Sequence, residues 1–325
     1  MTHTLITGGA GFIGSHMAEA LLAKGDAVTV VDDLSTGRFE NIQPLVGKPG
    51  FRFAIETITN ETVMDRLGSE CDRILHLAAA VGVKLIMENP VETIETNVLG
   101  TEVVLRAAER FKRRILITST SEVYGKAMEI PNGCGKLMEE NDLVLGPTSK
   151  RRWAYACSKA LDEFLALAYH DEKGLPVIIA RLFNTVGPRQ TGRYGMVIPT
   201  FVESALAGNP LPVFGDGNQS RSFTHVHDVV WALIALMDCR GAEGQIFNIG
   251  SGEEITVNEL AKKVIEFTNS TSTVEHIPYE RVYGKGFEDM ERRYPDLAKI
   301  KKFTGYCPKW GIDDIIKSVI EYYEK

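Results

Sequence analysis

Short apolar runs alternate with longer amphipathic stretches through the first half of the chain. "HTLIT", "AVTVVDD", "DRILHLAAA" and "RRILITSTS" are near-continuous apolar segments of strand length, the pattern of strands buried on both faces. Between them, "GFIGSHMAEALLAKG" and "VETIETNVLGTEVVLRAAERF" repeat their apolar residues at helical spacing. This rhythm predicts βαβ units and an α/β fold with a Rossmann-type doubly wound parallel sheet. A helix is predicted over 153–173, stopped by Gly174 and Pro176, and "PVIIARLFN" reads as the next buried strand. Beyond Gly187 the texture changes. Gly- and Pro-punctuated stretches such as "GNPLPVFGDGNQS" alternate with helices such as "TVNELAKKVIEFT", which predicts a smaller C-terminal α+β lobe. The expected division is 1–185 for a dinucleotide-binding domain, with 225–250 returning to it, and 186–325 for a substrate lobe.

Composition narrows the function classes. The chain of 325 residues is 44% hydrophobic, enough for a sizeable core, and carries a net charge of -7. It has no basic stripe to meet a phosphate backbone, so no nucleic-acid partner is expected and a small molecule is. The start, "MTHTLITGGAGFIG", lacks a basic region and a cleavage site and reads as a first strand. No apolar run reaches membrane-spanning length. Five cysteines (Cys71, Cys134, Cys157, Cys239, Cys307) are scattered without a CxxC pair, which suggests neither a disulfide framework nor a zinc site, and a reducing cytoplasm is expected.

Two motifs carry chemistry. "TGGAGFIG" sets Gly8, Gly11 and Gly14 at GxxGxxG spacing between a predicted strand and a predicted helix. Glycine lets the backbone approach a pyrophosphate at the helix start, so Gly8, Gly11, Phe12, Ile13 and Gly14 are expected to hold a dinucleotide. Asp32 follows 18 residues after Gly14 and suits a free adenosine ribose, which favours NAD over NADP. In "YACSK", Tyr155 and Lys159 stand four apart, on one face of the predicted helix. An ammonium near a phenol favours the phenolate, which fits a general base.

With these motifs in place, the sequence resembles the extended short-chain dehydrogenase/reductase family of nucleotide-sugar enzymes. The resemblance covers essentially the whole chain: the glycine fingerprint, "LAAA" at 77 to 80, Asn97, "TSTSEVYG", YxxxK, "RLFNTVGPR", "QSRSF" at 219 to 223 and "RRYPD" at 292 to 296. It implies an NAD domain, a nucleotide-sugar lobe and a homodimer built on a helix bundle that includes the YxxxK helix. It implies cofactor contacts at Leu77, Ala78, Ala79 and Asn97 as well as at Tyr155 and Lys159. Tyr155 is implied to deprotonate the sugar 4-hydroxyl while hydride leaves C4 for NAD, and Thr120 to bond that hydroxyl. Asn184, Arg189 and Arg293 match residues that grip the sugar diphosphate.

Within that family the glutamate of "TSTSEVYG", Glu122, discriminates. Simple 4-epimerases typically carry a small or apolar residue there, whereas dehydratases and UDP-glucuronate decarboxylases carry a glutamate near C5. Ser121 precedes it, where the thymidine-type dehydratases have Asp; GDP-mannose dehydratases also show Ser-Glu. "GPTSKRRWAYACSK" resembles the segment before the catalytic tyrosine of the aminoarabinose-pathway decarboxylases, and Arg221 in "QSRSF" matches their active-site arginine. A C6 carboxylate needs a cation, and Arg offers a planar fork for it. The expectation is therefore an NAD-dependent UDP-glucuronate decarboxylase giving UDP-xylose or its 4-keto precursor, with Ser121, Glu122 and Arg221 at the carboxylate. The alternatives are a UDP-sugar 4-epimerase, a 4,6-dehydratase of the GDP-mannose type, and an idle NAD-binding regulator on the same fold.

Lesser features complete the reading. "HVHD" is read as Asp228 capping a helix beside bystander histidines, with no metal. "LPVFGDG" is a candidate wall of the uracil pocket, and Glu56 or Thr57 a candidate adenine contact. The long loop in "KAMEIPNGCGKLMEENDLVLG" is a candidate cover for the sugar.

Overall fold

The computed structural model describes every residue except 130–134, 193–194 and 284–288, together with the side chains of 83–85. Its first half runs β1 (His3–Thr7), α1 (Phe12–Ala23), β2 (Ala27–Asp32), β3 (Phe51–Ile55), α2 (Glu61–Glu70), β4 (Arg73–His76), α3 (Val83–Glu88), α4 (Pro90–Arg110), β5 (Arg114–Thr120), α5 (Ala154–Lys173) and β6 (Val177–Leu182). After β7 (Thr185–Val186) come α6 (Val197–Leu206), β8 (Leu211–Phe214), β9 (Ser220–Arg221), β10 (Thr224–His225), α7 (Val226–Asp238) and β11 (Gln245–Ile249). The chain closes with β12 (Ile255–Thr256), α8 (Val257–Phe267), β13 (Val274–Ile277), α9 (Tyr279–Tyr283), β14 (Arg292–Arg293), α10 (Ala298–Thr304) and α11 (Ile312–Tyr323).

Seven strands form one parallel sheet in the order β3-β2-β1-β4-β5-β6-β11. Strand order reverses between β1 and β4, and in such sheets the ligand crevice opens at the strand ends beside that switch point. The alternation along each strand builds two cores. Ile6, Val30, Leu75, Leu116 and Ile178 face α1 and α7 on one side. Leu5, Val31, Ile74, Ile115 and Ile179 pack with Val104, Leu105 and Ala166 of α4 and α5 on the other. Sheet residues are covered on both faces, which is why these strands read as unbroken apolar runs. Through α7 and β11, the segment that follows β10 rejoins the large sheet.

The second lobe has its own core, with Ile198, Phe201 and Val202 of α6 against Leu260 and Val264 of α8 and Ile315, Ile316 and Val319 of α11. Three small sheets, β7-β10, β8-β13 and β12-β9-β14, lie outside the large one. β9 is central in one of them, antiparallel to β12 and parallel to β14, and places Arg221 opposite Arg293.

Local signals explain the ends. Gly174 takes a left-handed conformation (φ 65°) at the end of α5, where its amide closes on His170. Thr256 and Glu259 form a reciprocal capping box on α8. The expectation for Asp228 needs correcting: His225 is the N-cap of α7, accepting from the His227 amide. Asp228 instead accepts from the amides of Lys309 and Trp310 at 3.0 and 3.1 Å. Cys71, Cys157, Cys239 and Cys307 are free thiols, and Cys134 lies outside the described residues, as does part of the long loop read as a sugar cover. No helix among the described residues is long and apolar enough to cross a membrane.

The turn from β1 to α1 leaves no room for a side chain at Gly14. A Cβ on Gly14 would lie 2.2 Å from the Gly8 carbonyl oxygen and 2.6 Å from the Gly9 Cα, both backbone atoms that cannot swing aside. Gly14→Ala is expected to destabilise the protein by about 1–3 kcal/mol, read as a lower urea midpoint, and to weaken dinucleotide binding by fluorescence titration.

Candidate active site

A cavity of about 1130 Å³ runs from the glycine turn, past the ends of the sheet strands, into the second lobe. At one end lie Gly8, Gly11, Phe12, Ile13 and Gly14. No side chain caps the start of α1, so its first-turn amides remain for an anion. A Cβ on Gly8 would meet the Ala78 amide nitrogen at 2.7 Å, so the glycine is what allows the two loops to close on each other. Asp32, at the end of β2, accepts from the Ala10 and Leu34 amides, each at 2.9 Å. These two bonds fix its carboxylate at the cavity wall. Burial raises its pKa and the amide bonds partly offset that. Leu77, Ala78, Ala79 and Glu56 also line the cavity, whereas Thr57 does not.

Asn97, expected at the cofactor, stands behind the loop that follows β4. It is buried in α4 and does not line the cavity. Its side chain accepts from the Ala80 amide at 2.8 Å and donates to the Ser158 hydroxyl at 3.3 Å. It therefore ties the loop after β4 to α5, and acts on a bound ligand through that loop.

The middle of the cavity is formed by the end of β5 and the start of α5. Thr120, Ser121 and Glu122 occupy the turn after β5, and Tyr155 and Lys159 face them from α5. Tyr155 is 6% exposed. Burial and then the Glu122 charge push its pKa up, while the Thr120 hydroxyl and Arg152 pull it down. Lys159 donates to Asp162, one turn further along α5, at 2.8 Å.

Glu122 is the centre of an ionic cluster. Arg152, in the turn before α5, forms a charge-assisted bond to one of its oxygens, and Arg293 binds the other at 3.1 Å. Arg152 also lies 3.5 Å from Asp289, which Arg221 holds at 2.9 Å and Tyr279 at 3.2 Å. Burial alone would raise the Glu122 pKa, but Arg152 and Arg293 outweigh it and hold the carboxyl below the ordinary carboxylate range. Asp289 is lowered in the same way against its burial, mainly by Arg221. Arg293 is pushed down to about 10 by burial and by the neighbouring Arg221. All of these side chains line the cavity. Here a single carboxylate can be ionised only because two guanidiniums share it.

The far end carries Asn184, Arg189, Gln219, Pro212 and Phe214. Pro212 and Phe214 belong to the stretch read as a uracil wall. Asn184 donates to the Ser222 carbonyl at 3.2 Å, and Arg189 pairs with Glu19 of α1 at 2.6 Å. The cavity thus gathers every singled-out site residue except Asn97 and Thr57. It also adds Arg152, Asp289 and Tyr279, which the sequence reading did not select. Arg152 stands inside the quoted Arg-Trp motif, and Asp289 four residues before Arg293; nothing local marks either as buried.

Fold and site together define an NAD(P)-type Rossmann enzyme of the extended short-chain dehydrogenase/reductase class. The chain belongs to the family described as GDP-mannose 4,6 dehydratase, whose model matches residues 5–319. It is 42% identical over 99% of its length, and 97% of the relative's, to a UDP-N-acetyl-alpha-D-glucosaminuronate decarboxylase of Bacillus cytotoxicus. It is 38% identical over 94% of its length to UDP-glucuronic acid decarboxylase 1 of Arabidopsis thaliana, of which it spans 66%. The structure matches, with a TM-score of 0.88 and 26% identity over 99% of both chains, that of UDP-glucuronic acid 4-epimerase from Bacillus cereus in complex with UDP-glucuronic acid and NAD.

Removing Arg152 leaves Glu122 with half its compensation. Arg152→Ala is expected to cost on the order of 3 kcal/mol of stability at neutral pH, measured by urea unfolding. The Glu122 pKa is lowered in the folded state, so its pairing stabilises fully above the ordinary carboxylate value and is lost as pH falls through the folded one. The gap between variant and wild type should therefore narrow on acidification below about pH 4.

Proposed function

We propose that the protein is an NAD-dependent decarboxylase of UDP-linked hexuronates, acting on UDP-glucuronate or its 2-acetamido analogue. The observation that carries this reading is the cluster of Arg152, Arg221 and Arg293 around Glu122 and Asp289, in the same cavity as Tyr155 and Lys159. Three cations beside the tyrosine suit a substrate bearing a carboxylate as well as a diphosphate. The naming of two decarboxylases of UDP-linked uronates among the relatives supports it.

The residues at the glycine turn, with Asp32, Leu77, Ala78 and Ala79, fit NAD. The chemistry it supplies when bound is reversible hydride acceptance at C4 of the sugar. Tyr155 takes the proton of the 4-hydroxyl as that carbon is oxidised, with Thr120 bonding the same oxygen and Lys159 steadying the nicotinamide ribose. Oxidation makes the C5 carboxylate a β-keto acid; loss of CO2 moves its electron pair toward the C4 oxygen, and the enolate so formed takes a proton at C5 from water to give the 4-keto pentose. A hydroxyl donor at that oxygen, Tyr155, is where stabilisation of the transition state counts most. Glu122, held ionised by Arg152 and Arg293, is a poor proton donor at neutral pH. Its role is to set the two guanidiniums, with Ser121 supplying a hydroxyl to the carboxylate region. Asn184, Arg189 and Arg293 take the diphosphate end, Arg221 stands toward the carboxylate, and Pro212 and Phe214 flank the base. Residues 1–185, with 225–250, form the cofactor unit, and 186–325 the sugar unit.

A UDP-glucuronate 4-epimerase is the second reading, favoured by the likeness to the Bacillus cereus enzyme. Incubation with NAD and either uronate separates the two. CO2 with a UDP-pentose product is expected; the C4 epimer with its carboxylate retained would decide for epimerisation. Glu122→Gln is expected to preserve formation of the 4-keto species and, by releasing Arg152 and Arg293 from their positions, to slow CO2 release by about 100-fold, followed by proton NMR.

The protein acts in the cytoplasm as a homodimer. Val91, Ile94 and Leu99 on α4 and Leu161 and Phe164 on α5 are exposed, Val91 and Phe164 each by 67%. The two helices pack side by side, so these residues form one apolar patch of the kind a second copy buries. The double variant Leu161→Glu with Phe164→Glu is expected to sediment as a monomer where the wild type sediments as a dimer.

A further inference from the structure

Asp162 has no part in the scheme above, yet it sits in an unusual place. Its side chain is 1% exposed and that of Lys159 2% exposed, and the two meet at 2.8 Å. One carboxylate oxygen accepts from the lysine, and the other is buried beside the Thr101 hydroxyl. Burial pushes the Asp162 pKa up and the Lys159 ammonium pulls it back. Such a carboxylate contributes little to stability, because desolvation offsets most of the attraction. A role in the chemistry accounts for it better.

Asp162 also acts on the tyrosine. A lysine beside a general-base tyrosine lowers the phenol pKa through its positive charge. A carboxylate 2.8 Å from that ammonium cancels much of its field. The other groups facing Tyr155 are Glu122 and Thr120 from the end of β5 and Arg152 from the turn before α5. Around the Lys159 and Asp162 pair stand Thr101 of α4 and His76 of β4. The His76 ring bonds Thr7 at 2.7 Å and Thr101 at 3.0 Å and is neutral, its pKa lowered to about 3 by burial and by Lys159. Glu163, the next residue of α5, is neutralised by Arg181 at 2.7 Å. Asp162 is therefore the negative charge that is tied directly to the lysine.

We propose that Asp162 is a positioning residue that holds the Lys159 side chain and sets how strongly its charge assists Tyr155, biasing the tyrosine toward its protonated form. This rests on the reading of Tyr155 as the base at the 4-hydroxyl. The bias slows the first proton abstraction at low pH and favours the later return of that proton to the C4 oxygen, so the 4-keto sugar is reduced before it leaves.

The test is the pH profile of kcat/KM for oxidation of UDP-glucuronate with NAD, and the ratio of UDP-4-keto-pentose to UDP-xylose released. Asp162→Asn keeps the shape and removes the charge. The phenolate is then favoured, so the acid limb should move to lower pH by about one unit, or about tenfold in rate on that limb. The 4-keto fraction should rise, and Asp162→Glu should restore the wild-type limb. NAD affinity and the melting temperature are followed in parallel, and should Asn fail to fold, Asp162→Ser is read in the same way. A rate lowered equally at every pH, with the limb in place, would make Asp162 structural only and overturn the proposal. Tyr155→Phe distinguishes the deeper failure: wild-type oxidation in that variant, or no acid limb in the wild type, overturns the catalytic reading and this proposal with it.

Discussion

A carboxylate buried at the end of β5 has to be paired, and much of the molecule is arranged to pair it. Glu122 leaves the large sheet at the point where α/β proteins bind ligands, and its two partners come from widely separated later stretches of the sequence. Arg152 arrives 30 residues later, from the turn that starts α5, and Arg293 arrives 171 residues later, from the second lobe. An unpaired charge at this depth would cost several kcal/mol. The ionic contact therefore fixes the approach of the second lobe to the first as firmly as the apolar contacts do, and it does so inside the cavity.

The small sheet makes the arginines available. β9 and β14 run parallel with Arg221 opposite Arg293, so two like charges stand side by side. That arrangement is costly when empty of anions, and it adds to the burial that holds Arg293 down to about 10. Glu122 and Asp289 offset it from within the chain. Three guanidiniums against two carboxylates leave one net positive charge (3 - 2 = 1) in the cluster. An anionic ligand meets a site that is cationic overall and whose cations are already aligned by internal anions, which lowers the cost of ordering them on binding.

Sequence patterning reaches some of this and not the rest, for a physical reason. Apolar runs on a two-sided sheet and glycines at a backbone collision are local properties, so the parallel fold, the β1 to α1 turn and the Tyr155 to Lys159 spacing could be read directly. Arg152 and Asp289 become site residues only through contacts distant in sequence, Arg152 with Glu122 and Asp289 with Arg221 and Arg152. Asn97 was selected for a motif, but its side chain turns into the helix interface and holds Ala80 and Ser158. Asp228 followed a capping rule, yet the strand running directly into α7 puts His225 at the cap, and the carboxylate serves the loop before α11 instead. Each departure is a tertiary contact outcompeting a local preference.

On the proposed reaction, the same charge arithmetic gives decarboxylation a direction. A uronate brings a diphosphate and a carboxylate into a cluster with one surplus cation, so its C6 carboxylate must compete with Glu122 and Asp289 for guanidiniums they already hold. A carboxylate that is only partly compensated in a dry cavity is destabilised relative to water, whereas CO2 is neutral and the charge left behind spreads to the C4 oxygen beside Tyr155. The internal carboxylates then recover their partners as the substrate's charge departs. Glu122 in this view aids the chemistry by remaining ionised, and the arginines grip the acid loosely enough for it to be lost.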